Sequence, residues 1–225
     1  MKKLLISFFF LIISLNISSQ NGRNGPSLWE DIRANSNLSY DNTKPQIIEA
    51  LKKYDSHQYL INRLSKNGQR YLFYTVSEAL KRDLPVELSL IPFIESQFDP
   101  YAQSSTGASG IWQFIPSTAK ENGLKKNWWY DARRDIVSST DAAYNFLTKL
   151  HQEHDDWLIA IAAYNAGPSR VRKEIKKNKA KGLPTDFWSL NLPKETKAYV
   201  PKILALSEVI RNPQLSNIEL SLIHI

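Results

Sequence analysis

Asp83-Leu84-Pro85-Val-Glu87-Leu88-Ser-Leu-Ile91-Pro92-Phe-Ile-Glu95-Ser96 decides how the rest of the chain is read. It predicts a helix of about three turns. Asp83 and Pro85 are residue types that open helices, and Glu87 places negative charge in the first turn, where the backbone dipoles favour it. Leu84, Leu88, Ile91 and Glu95 follow at spacings of four, three and four, so the last position of an apolar stripe is a carboxylic acid. Pro92 removes one internal hydrogen bond and predicts a kink, and Asp99-Pro100 reads as a turn beyond the helix.

Glu95 is the residue out of place. An apolar position and the negative end of a helix both disfavour its charged form, so its pKa is expected to rise. A carboxylic acid that keeps its proton towards neutral pH is what a general acid requires. The competing reading is a glutamate at a frayed helix end paired with a lysine, and this stretch alone leaves both open.

The 225 residues are enough for one domain with tails, and a hydrophobic fraction of 42% is enough for a core. The formal net charge is +7; without Lys2 and Lys3, 27 basic side chains face 22 acidic ones, or +5. That excess is too mild for a nucleic-acid-binding signature. With no cysteine, the chain has no disulfides, no thiolate metal site and no lipid-bearing N-terminal cysteine. Of the four histidines only His151 and His154 are close in sequence, in a charged segment expected to be exposed, so neither a metal site nor a cofactor is expected.

Lys2 and Lys3 precede the apolar run Leu4 to Leu15, and Ser18 and Ser19 follow, so residues 1–20 are expected to be a signal peptide for export, with an uncleaved anchor as the alternative. Residues 21–45, rich in Asn, Ser, Gly and Pro, read as a linker or loosely attached arm. Scaffold helices follow. Ile47, Ile48, Leu51, Tyr54, Tyr59, Leu60 and Leu64 mark one, Asn67-Gly68 interrupts, and Phe73, Val76 and Leu80 mark the next.

Beyond Glu95, Gly107 and Gly110 open a loop that carries Trp112-Gln113-Phe114, and Pro116 begins a short helix that Gly123 ends. An amide between two aromatics suits a sugar, whose faces stack on rings and whose hydroxyls bond to amides; core aromatics in a turn are the alternative. Asn127-Trp128-Trp129-Tyr130-Asp131 either extends such a groove or caps the core. Asp135 caps a helix to about His151, with Val137, Ala143, Tyr144, Leu147 and Leu150 inward. Asp156 caps the next, Trp157 to Asn165, which is apolar all round and so central, and Ala166-Gly167-Pro168 stops it. Tyr164 and Asn165 bring polar groups to the end of that buried element, as part of a site or as a structural cap. Arg170 to Lys181 is a basic run, read as a solvated face or as attraction to an anionic polymer. Pro193 opens a last helix with Glu195 and Thr196 in its first turn, and residues 213–225 are a tail without signal. The fold class is all-α, six to nine helices, with room for one small hairpin around 104–115; the domain is expected over 46–212.

Four pieces now stand in order: Ile94-Glu95-Ser96; Gly107-Ala-Ser-Gly110-Ile-Trp-Gln113-Phe-Ile-Pro116-Ser-Thr118; Ala163-Tyr164-Asn165-Ala166-Gly167; and Glu195-Thr196-Lys-Ala-Tyr199-Val200. Together they resemble the catalytic domain of the soluble lytic transglycosylases, over about residues 80–210. The resemblance implies a lysozyme-like helical fold and peptidoglycan glycan strands as substrate and partner. It places the catalytic acid at Glu95 and substrate contacts at Ser96, Gln113, Tyr164, Asn165, Glu195 and Tyr199. A monomer, exported to the periplasm or cell envelope and peripherally attached to wall or membrane, is expected. Many relatives add C-terminal glycan-binding repeats, for which residues 213–225 are too short, or a lipid on a cysteine.

Hydrolytic glycosidases generally need two carboxylates about the scissile bond. Near the helix end only Glu95 lies in the site-forming motifs, and Asp99, four residues on and past the helix, could be a second acid. The resemblance implies a route that needs one: Glu95 protonates the oxygen between N-acetylmuramic acid and N-acetylglucosamine, then takes a proton from the muramic C6 hydroxyl, which closes a 1,6-anhydro ring. A hydrolase on the same fold and a non-catalytic peptidoglycan-binding module are the alternatives.

Overall fold

The computed structural model describes residues 27–55 and 58–212, so the expected leader and tail lie outside the described residues. Nine α-helices are found among the described residues: α1 Leu28–Asn35, α2 Pro45–Asp55, α3 Gln58–Leu80, α4 Ile91–Ser96, α5 Pro116–Glu121, α6 Ile136–His154, α7 Trp157–Ala166, α8 Pro168–Ala180 and α9 Lys194–Arg211. Two short 3-10 turns, Val86–Leu90 and Phe187–Ser189, complete them. The all-α class holds. In place of a hairpin around 104–115 there are isolated bridges, Gln103 with Ser109 and Ser109 with Phe114.

α7 is the axis. Asp156 caps it by accepting from the backbone N–H groups of Leu158 and Ile159, and every residue from Leu158 to Ala163 is buried. α6 packs along one side, with Ala143, Tyr144 and Leu147 wholly inside, and α9 along another, with Val200, Ile203, Leu204 and Leu206 inside. Asp135 caps α6 through the Ser138 N–H. Val137, expected inward, is 58% exposed, because it falls in the first turn, before the helix meets the core. His151 and His154 are partly buried rather than exposed; the His151 ring stacks on Trp157 at 4.0 Å.

The opening stretch is not one helix. Asp83 has a left-handed φ of 53° and belongs to a turn; Val86–Leu90 is 3-10, and α4 starts only at Ile91. Pro92 therefore sits in the first turn of α4, where no internal bond is lost, and marks a junction instead of a kink. The stripe survives the correction: Leu84, Leu88 and Ile91 are buried and Glu95 is half-buried.

Three further expectations give way. Asn67-Gly68 does not interrupt a helix; α3 runs through it, with the Asn67 amide donating to the Gln97 carbonyl at 2.9 Å and Gly68 close beneath the Phe98 ring. Ile48, Tyr59 and Phe73, read as apolar contact points, are exposed. In its described part the 21–45 segment is no loose arm. Ser27 and Glu30 form a capping box, and Leu28, Trp29 and Ile32 of α1 are buried in the common core. A polar composition hid one apolar turn. Leu38 then donates its N–H to the buried Glu87 carboxylate at 3.1 Å, and the Tyr40 hydroxyl donates to Glu208 of α9 at 2.7 Å.

Candidate active site

α4 ends at Ser96 with two consecutive left-handed residues, Gln97 (φ 54°) and Phe98 (φ 61°). Phe98 is buried and its N–H closes on the Pro92 carbonyl, so packing holds the strained turn and fixes the end of α4. Glu95 is thereby presented to α9, where the Tyr199 hydroxyl donates to its Oε1 at 2.5 Å. Burial is the main influence on the acid and pushes its pKa up to about 7. The Tyr199 hydrogen bond opposes this by stabilising the carboxylate, and the negative charge of Glu195 adds to the rise. Burial, followed by the charge of Glu95, in turn pushes the Tyr164 and Tyr199 hydroxyls well above their ordinary range.

Tyr164 stands at the end of α7. Its hydroxyl donates to the Trp112 carbonyl at 2.7 Å, and its ring packs edge-on against Trp112 and Phe114. Beside it, the Asn165 side-chain oxygen accepts from the Thr196 hydroxyl at 2.7 Å, which turns the amide NH2 away from α9. Thr196 is almost wholly buried, so the contact is shielded from water. Thr196 and Tyr199 are one helical turn apart on α9 and share a face; that spacing could have marked Thr196 as part of the site, yet the sequence reading passed it over.

Two candidates play scaffold parts. The Ser96 hydroxyl donates to the Pro92 carbonyl (3.1 Å) and the Ile111 carbonyl (3.0 Å), tying α4 to the 103–114 loop. The Gln113 amide donates to Gly110 (2.8 Å) and Ala102 (3.2 Å) across the same loop, and Gln113 itself has a left-handed φ of 48°. The neighbouring aromatics cannot stack on a sugar. Trp112 is fully buried and donates to Thr140 at 2.9 Å, and Phe114 is buried too. They belong to the core, as the alternative reading had it. Glu195 is exposed at the start of α9. Asp99, the other acid considered, is exposed and accepts from the Tyr101 backbone N–H at 2.8 Å.

The arrangement is a half-buried acid poised near neutrality, one tyrosine bonded to it and a second within its field, and an oriented amide nearby. That set can donate a proton, take it back, and hold polar groups of a ligand around the exchange.

Residues 75–186 match the model of the transglycosylase SLT domain, and this chain belongs to that family. Over 176 residues it is 47% identical to membrane-bound lytic murein transglycosylase D of Escherichia coli (strain K12), covering 78% of this chain and 39% of the relative. The chain thus spans about two-fifths of that relative's length. It is also 40% identical over 151 residues to a candidate tributyltin chloride resistance protein of Alteromonas sp. (strain M-1), covering 67% of this chain and 72% of that one. Among solved structures, an inactive mutant of lytic transglycosylase Slt from Pseudomonas aeruginosa is similar at 30% identity and a TM-score of 0.48, over 64% of this chain and 24% of that one. The motif Glu195 to Val200 lies outside the span matched by the family model, although it supplies the partner of Glu95.

Proposed function

We propose that this chain is a peptidoglycan lytic transglycosylase, exported to the cell envelope, that cleaves the bond between N-acetylmuramic acid and N-acetylglucosamine without water. The observation that carries the reading is Glu95: an acid with a pKa of about 7, held by Tyr199 at 2.5 Å. Protonated Glu95 gives its proton to the glycosidic oxygen as the bond to C1 breaks. The carboxylate so formed accepts the proton of the muramic C6 hydroxyl as that oxygen attacks C1. The proton count on Glu95 returns to its start, and the products are a GlcNAc end and a 1,6-anhydromuramic end. The nucleophile belongs to the substrate, so no entropy is spent in positioning a water. Tyr164, Asn165, Ser96 and Gln113 line and shape the place where the sugar sits. The family membership and the murein transglycosylase among the relatives support the substrate class.

A hydrolase is the second reading, and Glu195 is what favours it: this second carboxylate is near enough for its charge to raise the Glu95 pKa. Mass spectrometry of the products from purified peptidoglycan separates the two. Fragments with 1,6-anhydro ends, one water lighter than hydrolysed ones, are expected, with none from the Glu95→Gln variant. Reducing ends would assign the hydrolase. Normal turnover by Glu95→Gln would remove Glu95 from the chemistry, and retention on the wall without any product would make the chain a binding module.

A further inference from the structure

Two surface hollows, of about 530 and about 430 Å3, meet at Tyr71, Pro100 and Tyr101, which line both. The larger is walled by the 126–131 loop. Its Trp128 and Trp129 are 88% and 89% exposed, and Tyr101 is 75% exposed. The smaller lies between the Ser96–Tyr101 segment and Arg63, Lys66 and Arg70, which share one face of α3.

The indoles stand in water on a fixed support. Asn127 accepts from the N–H groups of Trp129 and Tyr130 at 2.9 and 2.8 Å, which closes the loop tip. Asp131 closes its base by accepting two hydrogen bonds from the Arg133 guanidinium, at 2.9 and 2.7 Å, and one from the Arg133 backbone N–H at 3.2 Å. Arg133 is itself buried and donates to the Gly107 and Phe114 carbonyls, so the loop is anchored in the core. Two large apolar rings displayed by a rooted loop mark a surface that another molecule covers. The charge beside them says what kind. Among the described residues, Arg63, Lys66 and Arg70 form no ion pair, and Arg134 at the other hollow bonds only to Ser109 and Gln103. Aromatic faces suit pyranose rings, and three unpaired cations against the one carboxylate of Asp99 in the same hollow suit carboxylates. A glycan strand that carries peptide stems presents both, whereas a bare glycan leaves the cations unanswered and a flat anionic bilayer leaves the hollows unfilled.

We infer that these joined hollows, which adjoin the candidate active site at Ser96, are a second binding site for peptide-bearing glycan, with sugar rings on Tyr101, Trp128 and Trp129 and stem carboxylates on Arg63, Lys66 and Arg70. This rests on the proposed action on peptidoglycan and adds a preference for strands that still carry their stems.

The test is calorimetric titration of the full chain bearing Glu95→Gln with soluble peptidoglycan strands, intact or stripped of stems by an amidase. Intact strands are expected to bind about 10-fold tighter than stripped ones. Adding Trp128→Ala and Trp129→Ala is expected to weaken both by about 10-fold. Adding Arg63→Gln, Lys66→Gln and Arg70→Gln is expected to erase the preference alone. All these residues are exposed, so melting temperatures should match the parent. Equal affinities for the two strands, or variants that bind like the parent, overturn the inference. So does binding to phosphatidylglycerol vesicles through the same tryptophans when strands do not bind. Product analysis on the wild-type chain keeps the two readings apart. Anhydro products together with indifferent variants defeat this inference only. No products, with variant-sensitive binding of intact strands, defeats the reaction and leaves the site.

Discussion

In the proposed reaction Glu95 must first give a proton and then take one, which asks for a pKa near the working pH. Burial supplies the rise, and two neighbours trim it in opposite directions. Tyr199→Phe removes a donor to the carboxylate, so the pKa should climb and the alkaline limb of the pH–rate profile should move up, with a lower maximum rate from lost positioning. Glu195→Gln removes a repelling charge, so the same limb should move down. Limbs that stay put in both variants would disconnect these residues from the acid. The same burial has a stability cost with a definite sign. Glu95 binds its proton more tightly when folded than when unfolded, so the penalty is absent at low pH and grows as pH rises from about 4.5 to about 7. Glu95→Gln should therefore stabilise the protein by about 3 kcal/mol at pH 8 and hardly at all at pH 4, as read by thermal melts.

Among the elements, the 103–114 loop depends most on a single position. A Cβ built on Gly110 would lie 1.7 Å from the Arg133 carbonyl oxygen, and its φ of +82° is already hostile to a side chain. Gly110→Ala should cost about 3 kcal/mol or more, because the loop or the 131–134 segment must move. Gly123 shares the left-handed φ, at +77°, but has open space around it. Gly123→Ala should cost only about 1 kcal/mol. Equal costs would mean that backbone conformation, not the close approach, governs the loop. These glycines, the caps Asp135 and Asp156 and the central α7 were all legible, because each is a local rule acting on neighbours in sequence. What the chain hid is long-range. Trp112 flanks the site-motif glutamine, yet it belongs to the core because Thr140, 28 residues on, receives its N–H. Gln113 looks like a ligand amide, yet backbone carbonyls of its own loop occupy it. The single helix expected over 84–96 failed for a local reason: Pro85 and Pro92, seven apart, each open a turn, and the chain uses both.

At the scale of the whole molecule, the N-terminal segment belongs to the fold. α1 puts Trp29 wholly into the core, and Leu38 supplies the N–H that the buried Glu87 carboxylate accepts. A chain begun at residue 45 would lose both and leave Glu87 short of a partner. Removing a buried Trp side chain costs about 3–5 kcal/mol by itself. Such a truncation should melt far below the full chain or fail to fold; an unchanged melting temperature would restore the reading of a loose arm. The composition of residues 21–45 concealed this because three apolar residues, Leu28, Trp29 and Ile32, are enough for one buried turn.

Glu95 and Tyr199 stand 104 positions apart in the chain and share one hydrogen bond. The acid is thus made early and its partner late. A chain still emerging from the ribosome carries Glu95 without the helix that tunes it. The hydrogen bond that tunes the proposed acid can form only once α9 has been made and packed.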